Sequence, residues 1–201
     1  MRDVLRSAAG ERLSLAGYDE DFAEAVGSVD GPILRTQRLQ TLREPGNPAW
    51  EAFAQGRWDE AMGLAAEPDP ETVRFFEALD RAGSGLRRLR IVERPLSPYL
   101  IWELHTLRHR AAAGERIRIL GADRLAGFEG KHGRIPELMV LGDRVLYEVM
   151  YDPSGTPVGA RKVVEPGVVR ACRVQIESLL TEAESFDSFF RHEVAGLQPQ
   201  Q

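Results

Sequence analysis

The 201 residues include a single cysteine, Cys172, so no internal disulfide can form and a reducing cytoplasm is the expected compartment. No apolar run approaches the ~20 residues that span a bilayer, and residues 1–10 are too polar for the core of a secretory leader. Neither a membrane partner nor export is therefore expected. Lysine is almost missing too: 24 arginines stand against Lys131 and Lys162, which reads as coding bias rather than functional choice. The motifs of common chemistry are absent as well. Gly121-Ala122-Asp123 and Gly130-Lys131-His132-Gly133 match neither glycine-loop signature for phosphates, and no HExxH pattern occurs. Ser154 and Ser185 have no nearby histidine pattern, and Cys172 lies in a helical apolar stripe where a thiol is buried and inert. What is present, 43% hydrophobic and 28% charged residues, is the make-up of a globular protein large enough to need no structural metal.

The net charge of −5 is unevenly spread. Residues 1–85 carry 9 basic and 16 acidic side chains, and residues 86–201 carry 17 and 15. Residues 81–118 alone hold nine arginines against Glu93, Glu103 and Glu115. A globally acidic chain without an evident recognition helix disfavours direct nucleic-acid binding, whereas a local basic face suits a small anion.

Residues 1–85 read as a mainly helical region packed on an α/β core of residues 86–196, with Gly83-Ser84-Gly85 as hinge and 197–201 as a disordered tail. Asn47-Pro48 and Asp69-Pro70-Glu71 both open helices with a cap followed by proline, and Trp50 and Phe53 anchor the first of them. Pro32 to Leu42 is extended but weakly patterned. Leu86 to Leu120 then reads strand, proline punctuation, helix 96–113, glycine stop, strand. A glycine-rich charged loop, 121–134, follows it. Glu137–Leu141 and Arg144–Tyr151 flank the Gly142-Asp143 turn of a hairpin, and Pro157–Val164 completes a meander. Pro166 opens the longest helix, whose stripe is Val169, Cys172, Ile176, Leu179, Leu180 and Ala183, before Phe186, Phe189 and Phe190 seal the core. The expected fold is α/β of the α+β kind, a mixed sheet with a right-handed crossover.

Alternation within the crossover strands predicts that Leu89, Ile91, Ile117 and Ile119 meet the helix and that Arg88, Arg90, Arg116 and Arg118 crowd the other face. Such a face is either paired with acids such as Glu137 and Glu148 or is an anion pocket built on bidentate guanidinium groups. Tyr99 and Glu103, at i and i+4, lie beside it; they order the helix start with Arg94 or orient a ligand. His105 and His109 share the spacing of two metal ligands, but no third ligand accompanies them, so no metal or other cofactor is expected.

The run Arg38-Leu39-Gln40-Thr41-Leu42-Arg43-Glu44-Pro45-Gly46, the Phe53-x-x-Gly56 ending, Arg88-x-Arg90-x-Val92-x-x-Pro95-Leu96-Ser97-x-Tyr99-x-x-x-Glu103 and Ala113-Gly114-Glu115-x-Ile117-Arg118 resemble an uncharacterised actinobacterial domain family found beside helix–turn–helix regulators. The resemblance covers roughly residues 35 to 190. A fainter one is to the phospholipase D-like fold, as a half-domain. Setting Asp143 in that fold's aspartate role puts Pro136 and Leu138 where its His-x-Lys pair should be, so the chemistry is absent.

These resemblances imply a non-catalytic, cytoplasmic regulatory protein that works with a helix–turn–helix DNA-binding partner or senses an anionic ligand. The candidate contacts are Arg88, Arg90, Arg116, Arg118, Tyr99 and Glu103. The alternative is an enzyme acting on an anionic small molecule, with Glu103, Tyr99 or His105 as acid–base groups.

Overall fold

In the computed structural model, residues 1–66 and 70–198 are described. The sequence-expected tail therefore lies partly outside the described residues, as does Asp69 of the expected helix start.

Strand-forming alternation and capped helices produce one mixed sheet. Its strands are β1 (Glu11–Ser14), β2 (Ile33–Gln37), β3 (Leu86–Val92), β4 (Arg116–Gly121), β5 (Leu138–Leu141), β6 (Val145–Tyr151), β7 (Pro157–Val163) and β8 (Glu184–Ser185). They lie in the order β1-β7-β6-β5-β2-β3-β4-β8, with β2, β3 and β4 mutually parallel and the other pairings antiparallel. The α+β expectation, the crossover and the meander are all present. The first 85 residues are not only helical: β2 sits at the centre of the sheet, between β5 and β3.

The helices start where side chains can satisfy their first amides. Ser97 Oγ accepts the Leu100 amide at 3.1 Å and Pro98 follows it, opening α6 (Pro98–Ala112). Asn47 does the same for α3 (Pro48–Ala54), and Pro166 opens α8 (Pro166–Glu182). The stretch read as a loop after β4 instead forms a 3₁₀ turn (Ala122–Leu125) and a short helix (Ala126–His132). The expected hairpin is present, and Gly142 is required there: at φ 52° an added Cβ would collide with the Asp30 carbonyl.

Helices cover both faces of the sheet. On one, Leu34, Leu89, Ile91, Leu120, Val140, Leu146 and Val163 pack against Val169, Cys172, Ile176 and Leu179 of α8. On the other lie α2 (Leu15–Gly27), α5 (Pro70–Arg81) and α6. Trp50, Phe53 and Trp58 close a smaller cluster with Tyr99 and Trp102 of α6. Of the stripe expected on the last long helix, Val169, Cys172, Ile176, Leu179 and Ala183 are buried and Leu180 is partly buried, and Phe186, Phe189 and Phe190 seal the end of α6.

Candidate functional site

The arginine face differs from the expected one, because β3 and β4 are parallel neighbours with their alternations one residue out of step. Arg88 stands opposite Ile117, and Arg90 opposite Ile119. Residues paired in register point to the same face, so Arg88 and Arg90 lie under α6 together with Ile117 and Ile119. Leu89 and Ile91 turn to α8 instead. Arg118 shares the α8 side, where its Nη2 donates to the Ala183 carbonyl at the end of α8, a favourable place for a cation. Arg116 is exposed at the edge of β4. The four arginines do not share one surface.

Another arginine completes the row. In β2, Arg35 stands opposite Arg88 and Gln37 opposite Arg90. Neighbouring parallel strands are about 5 Å apart, so Arg35 and Arg88 form a like-charge pair at the centre of the sheet. Their repulsion is roughly 1–3 kcal/mol at effective dielectric constants between those of water and of a protein surface.

Two of the three guanidinium groups are paired with carboxylates. Arg88 Nε and Nη2 reach the two oxygens of Glu115 at 2.5 and 3.2 Å, and its Nη1 donates to Gln37 Oε1. Glu115 is also bound by Arg110 Nε at 2.6 Å. Burial would raise the Glu115 carboxyl, but Arg88 and Arg110 outweigh it and hold the group down at about 2. Arg90 Nε donates to Glu103 Oε2 at 2.8 Å; its Nη2 lies 2.7 Å from the same oxygen, off the hydrogen-bond axis, and counts as an ion pair. Arg90 Nη1 reaches the Gln37 and Ile91 carbonyls at 3.1 and 3.0 Å. The acids expected to pair with the arginines are engaged elsewhere: Glu148 binds Arg161, and Glu137 takes backbone amides.

Arg35 is the exception. Among the described residues its side chain has no hydrogen bond or ion pair, and it lines a cleft of about 460 Å³ between α2 and α6. The floor is Arg35, Gln37, Arg88, Glu137 and Met139. Tyr18 and Phe22 of α2, Phe75 of α5 and Tyr151 of β6 supply aromatic walls. Burial lowers the pKa of Arg88, and the facing charge of Arg35 lowers it further.

Tyr99 and Glu103 do not act as a pair. Tyr99 donates to Glu44 Oε1 at 2.7 Å, while Glu103 binds Arg90 and accepts from Gln37 Nε2. Arg94 instead faces Glu193 at 3.3 Å. His105 lies between the rings of Trp58 and Phe190, centroids 5.3 and 5.1 Å away, with Nε2 3.1 Å from the Leu197 carbonyl. Asp143 is bound by Arg173 at 2.6 Å. Sequence reasoning missed Arg35, although Ile33-Leu34-Arg35-Thr36-Gln37 carries the same alternation that singled out Arg88 and Arg90. Its signal was overlooked because that stretch was not placed in the sheet.

The fold and this site define an α+β domain with a charged cleft on one sheet face. By sequence the chain belongs to the family described as a domain of unknown function (DUF6879), which matches residues 20–191. No curated protein matches it. Among solved structures it is similar to TrmBL2, an archaeal chromatin protein described as showing a novel mode of DNA binding, with 9% identity and a TM-score of 0.47. The similarity covers 89% of this chain and 52% of that one, so the chain spans about half the length of the chromatin protein. It is also similar to NucT from Helicobacter pylori, at 8% identity and a TM-score of 0.47, over 88% of this chain and 98% of that one. At these values neither likeness says what this chain binds.

One expectation is nevertheless overturned. Direct nucleic-acid binding was disfavoured, with a helix–turn–helix regulator or a small anion as the named partners, yet a DNA-binding chromatin protein stands among the similar structures. Total charge is no ground for disfavouring a nucleic-acid partner, because a phosphate meets local charge. Among the described residues no helix is long and apolar enough to cross a membrane.

Proposed function

We propose that this protein is a binding domain, not a catalyst, and that it holds an oxyanion-bearing ligand in the cleft between α2 and α6. The observation that carries this reading is Arg35: a guanidinium with no hydrogen bond or ion pair among the described residues, beside Arg88 and lining a cleft with aromatic walls. Glu115 and Glu103 already favour the charged form of Arg35 from a distance, but neither fills its donor fork; a bound oxyanion accepts that planar fork and offsets the repulsion between Arg35 and Arg88. The remaining arginines of the row keep structural pairs. Arg88 and Arg90 fix the floor through Glu115, Glu103 and Gln37, so Arg35 does not need to hold the sheet together. Of the residues first singled out, Arg88 and Glu103 also line this cleft.

The enzymatic alternative draws little support. Glu103 and Tyr99 are both committed to neighbouring side chains, and His105 is wedged between two rings. The His-x-Lys positions of a phospholipase D-like site are Pro136 and Leu138.

The test is titration with phenyl phosphate at low salt, followed by amide chemical shifts. The expected result is saturable shifts at Arg35, Gln37 and Tyr18, at least a ten-fold loss of affinity in Arg35→Gln, and a melting temperature within about 2 °C of the parent. Equal binding by parent and Arg35→Gln, or shifts confined to other surfaces, would sink the proposal.

A further inference from the structure

Glu137 is the second unusual group of the cleft. Its Oε1 accepts the backbone amides of Arg38 and Leu39 at 2.6 and 2.7 Å, which fixes the carboxyl at the end of β2. Its other oxygen has no hydrogen-bond partner among the described residues, although the residue is only 9% exposed. Glu137 lines the same cleft as Arg35, as do Tyr18, Phe22, Phe75 and Tyr151. That oxygen is not sealed from water, so it stands as an open acceptor on the cleft floor.

We infer that the ligand is amphoteric in its hydrogen bonding: a flat aromatic body carrying an oxyanion that meets Arg35 and an N–H or O–H donor that meets the unpartnered oxygen of Glu137. This rests on the oxyanion reading above and narrows it to one chemistry, that of a mononucleotide phosphate. The aromatic walls take the ring, the guanidinium takes the phosphate, and the carboxylate takes a base amine or sugar hydroxyl. Burial raises the carboxyl above its ordinary value, ahead of the opposing pulls of the Arg38 amide, Arg90, the Leu39 amide and Arg35. The phosphate can come from a free nucleotide or from the end of a strand.

The experiment compares phenyl phosphate, which has no donor beyond its phosphate, with 5′-CMP and a 5′-phosphorylated tetranucleotide, using the parent and Glu137→Gln. Glutamine keeps an acceptor for the Arg38 and Leu39 amides and turns the free position from an acceptor into a donor. CMP is expected to bind the parent at least ten-fold more tightly than phenyl phosphate. Glu137→Gln is expected to erase that excess and leave phenyl phosphate within about two-fold, with the Arg38 and Leu39 amide shifts in place as proof of an intact floor. A tetranucleotide matching CMP assigns the site to strand ends, and a weaker one assigns it to free nucleotides. If phenyl phosphate binds but CMP gains nothing, or Glu137→Gln weakens both ligands equally, this inference fails while the oxyanion reading stands. If nothing binds, both fail.

Discussion

The two faces of the sheet are built from the same strands and solve opposite problems. Toward α8, every strand from β7 to β4 sends an aliphatic side chain into one continuous apolar layer. Toward α2 and α6, the central strands present Arg35, Gln37, Arg88 and Arg90, and the covering elements answer with Glu103 and Glu115. The first face is held by area removed from water, which is non-directional and tolerant of small shifts. The second joins its own apolar clusters, around Leu104 and Phe76, to matched ion pairs, whose desolvation cost makes each member depend on its partner. The guanidinium of that face left without a paired acid, Arg35, is where the proposed ligand is placed.

The comparison breaks most visibly at Glu115. Glu115→Gln leaves Arg88 buried without its counter-charge and frees Arg110, so a loss of roughly 3–5 kcal/mol in urea unfolding is expected. A loss below about 1 kcal/mol would mean that the pairing is incidental. On the opposite face, Ile176→Ala removes a fully buried side chain of α8. It should cost roughly 2–5 kcal/mol by the same measurement while leaving phenyl phosphate affinity unchanged. A change in affinity there would show that the two faces are coupled.

Acid sharpens the contrast. The carboxyl of Glu115 is depressed from 4.5 to about 2, so its contribution is complete above about pH 4.5 and disappears as pH falls through about 2. That window carries roughly 3 kcal/mol, to be read from urea midpoints across it. Glu137 has the opposite sign: its raised carboxyl favours the folded state once protonated and opposes part of the loss as pH falls. A stability curve that is flat over this interval would contradict the assignment of Glu115 as the buried anion of the α6 face.

Much of this was legible in the chain. The caps at Asn47 and Ser97, the prolines after them, the glycine of the hairpin and the helical stripe through Cys172 are local signals, and each element formed where those signals stood. That the chain falls in a domain family of unknown function was also legible, since the quoted runs fall within the matched residues 20–191. The arginine face was not. Alternation shows that two side chains of one strand share a face, but not which residue of the next strand lies opposite. A one-residue offset between β3 and β4 sends Arg116 and Arg118 away from Arg88 and Arg90.

The sequence by itself determined the elements, because caps, turns and periodicity act within a few residues. Only the tertiary structure decided which charges meet. Strand register and the insertion of β2 beside β3 are set by packing across the whole sheet, and they put Arg35, remote in sequence, against Arg88. Complementary groups such as Glu115 and Glu137 reach the row from loops and strands far along the chain, so the pairing is a property of the folded surface and not of any segment.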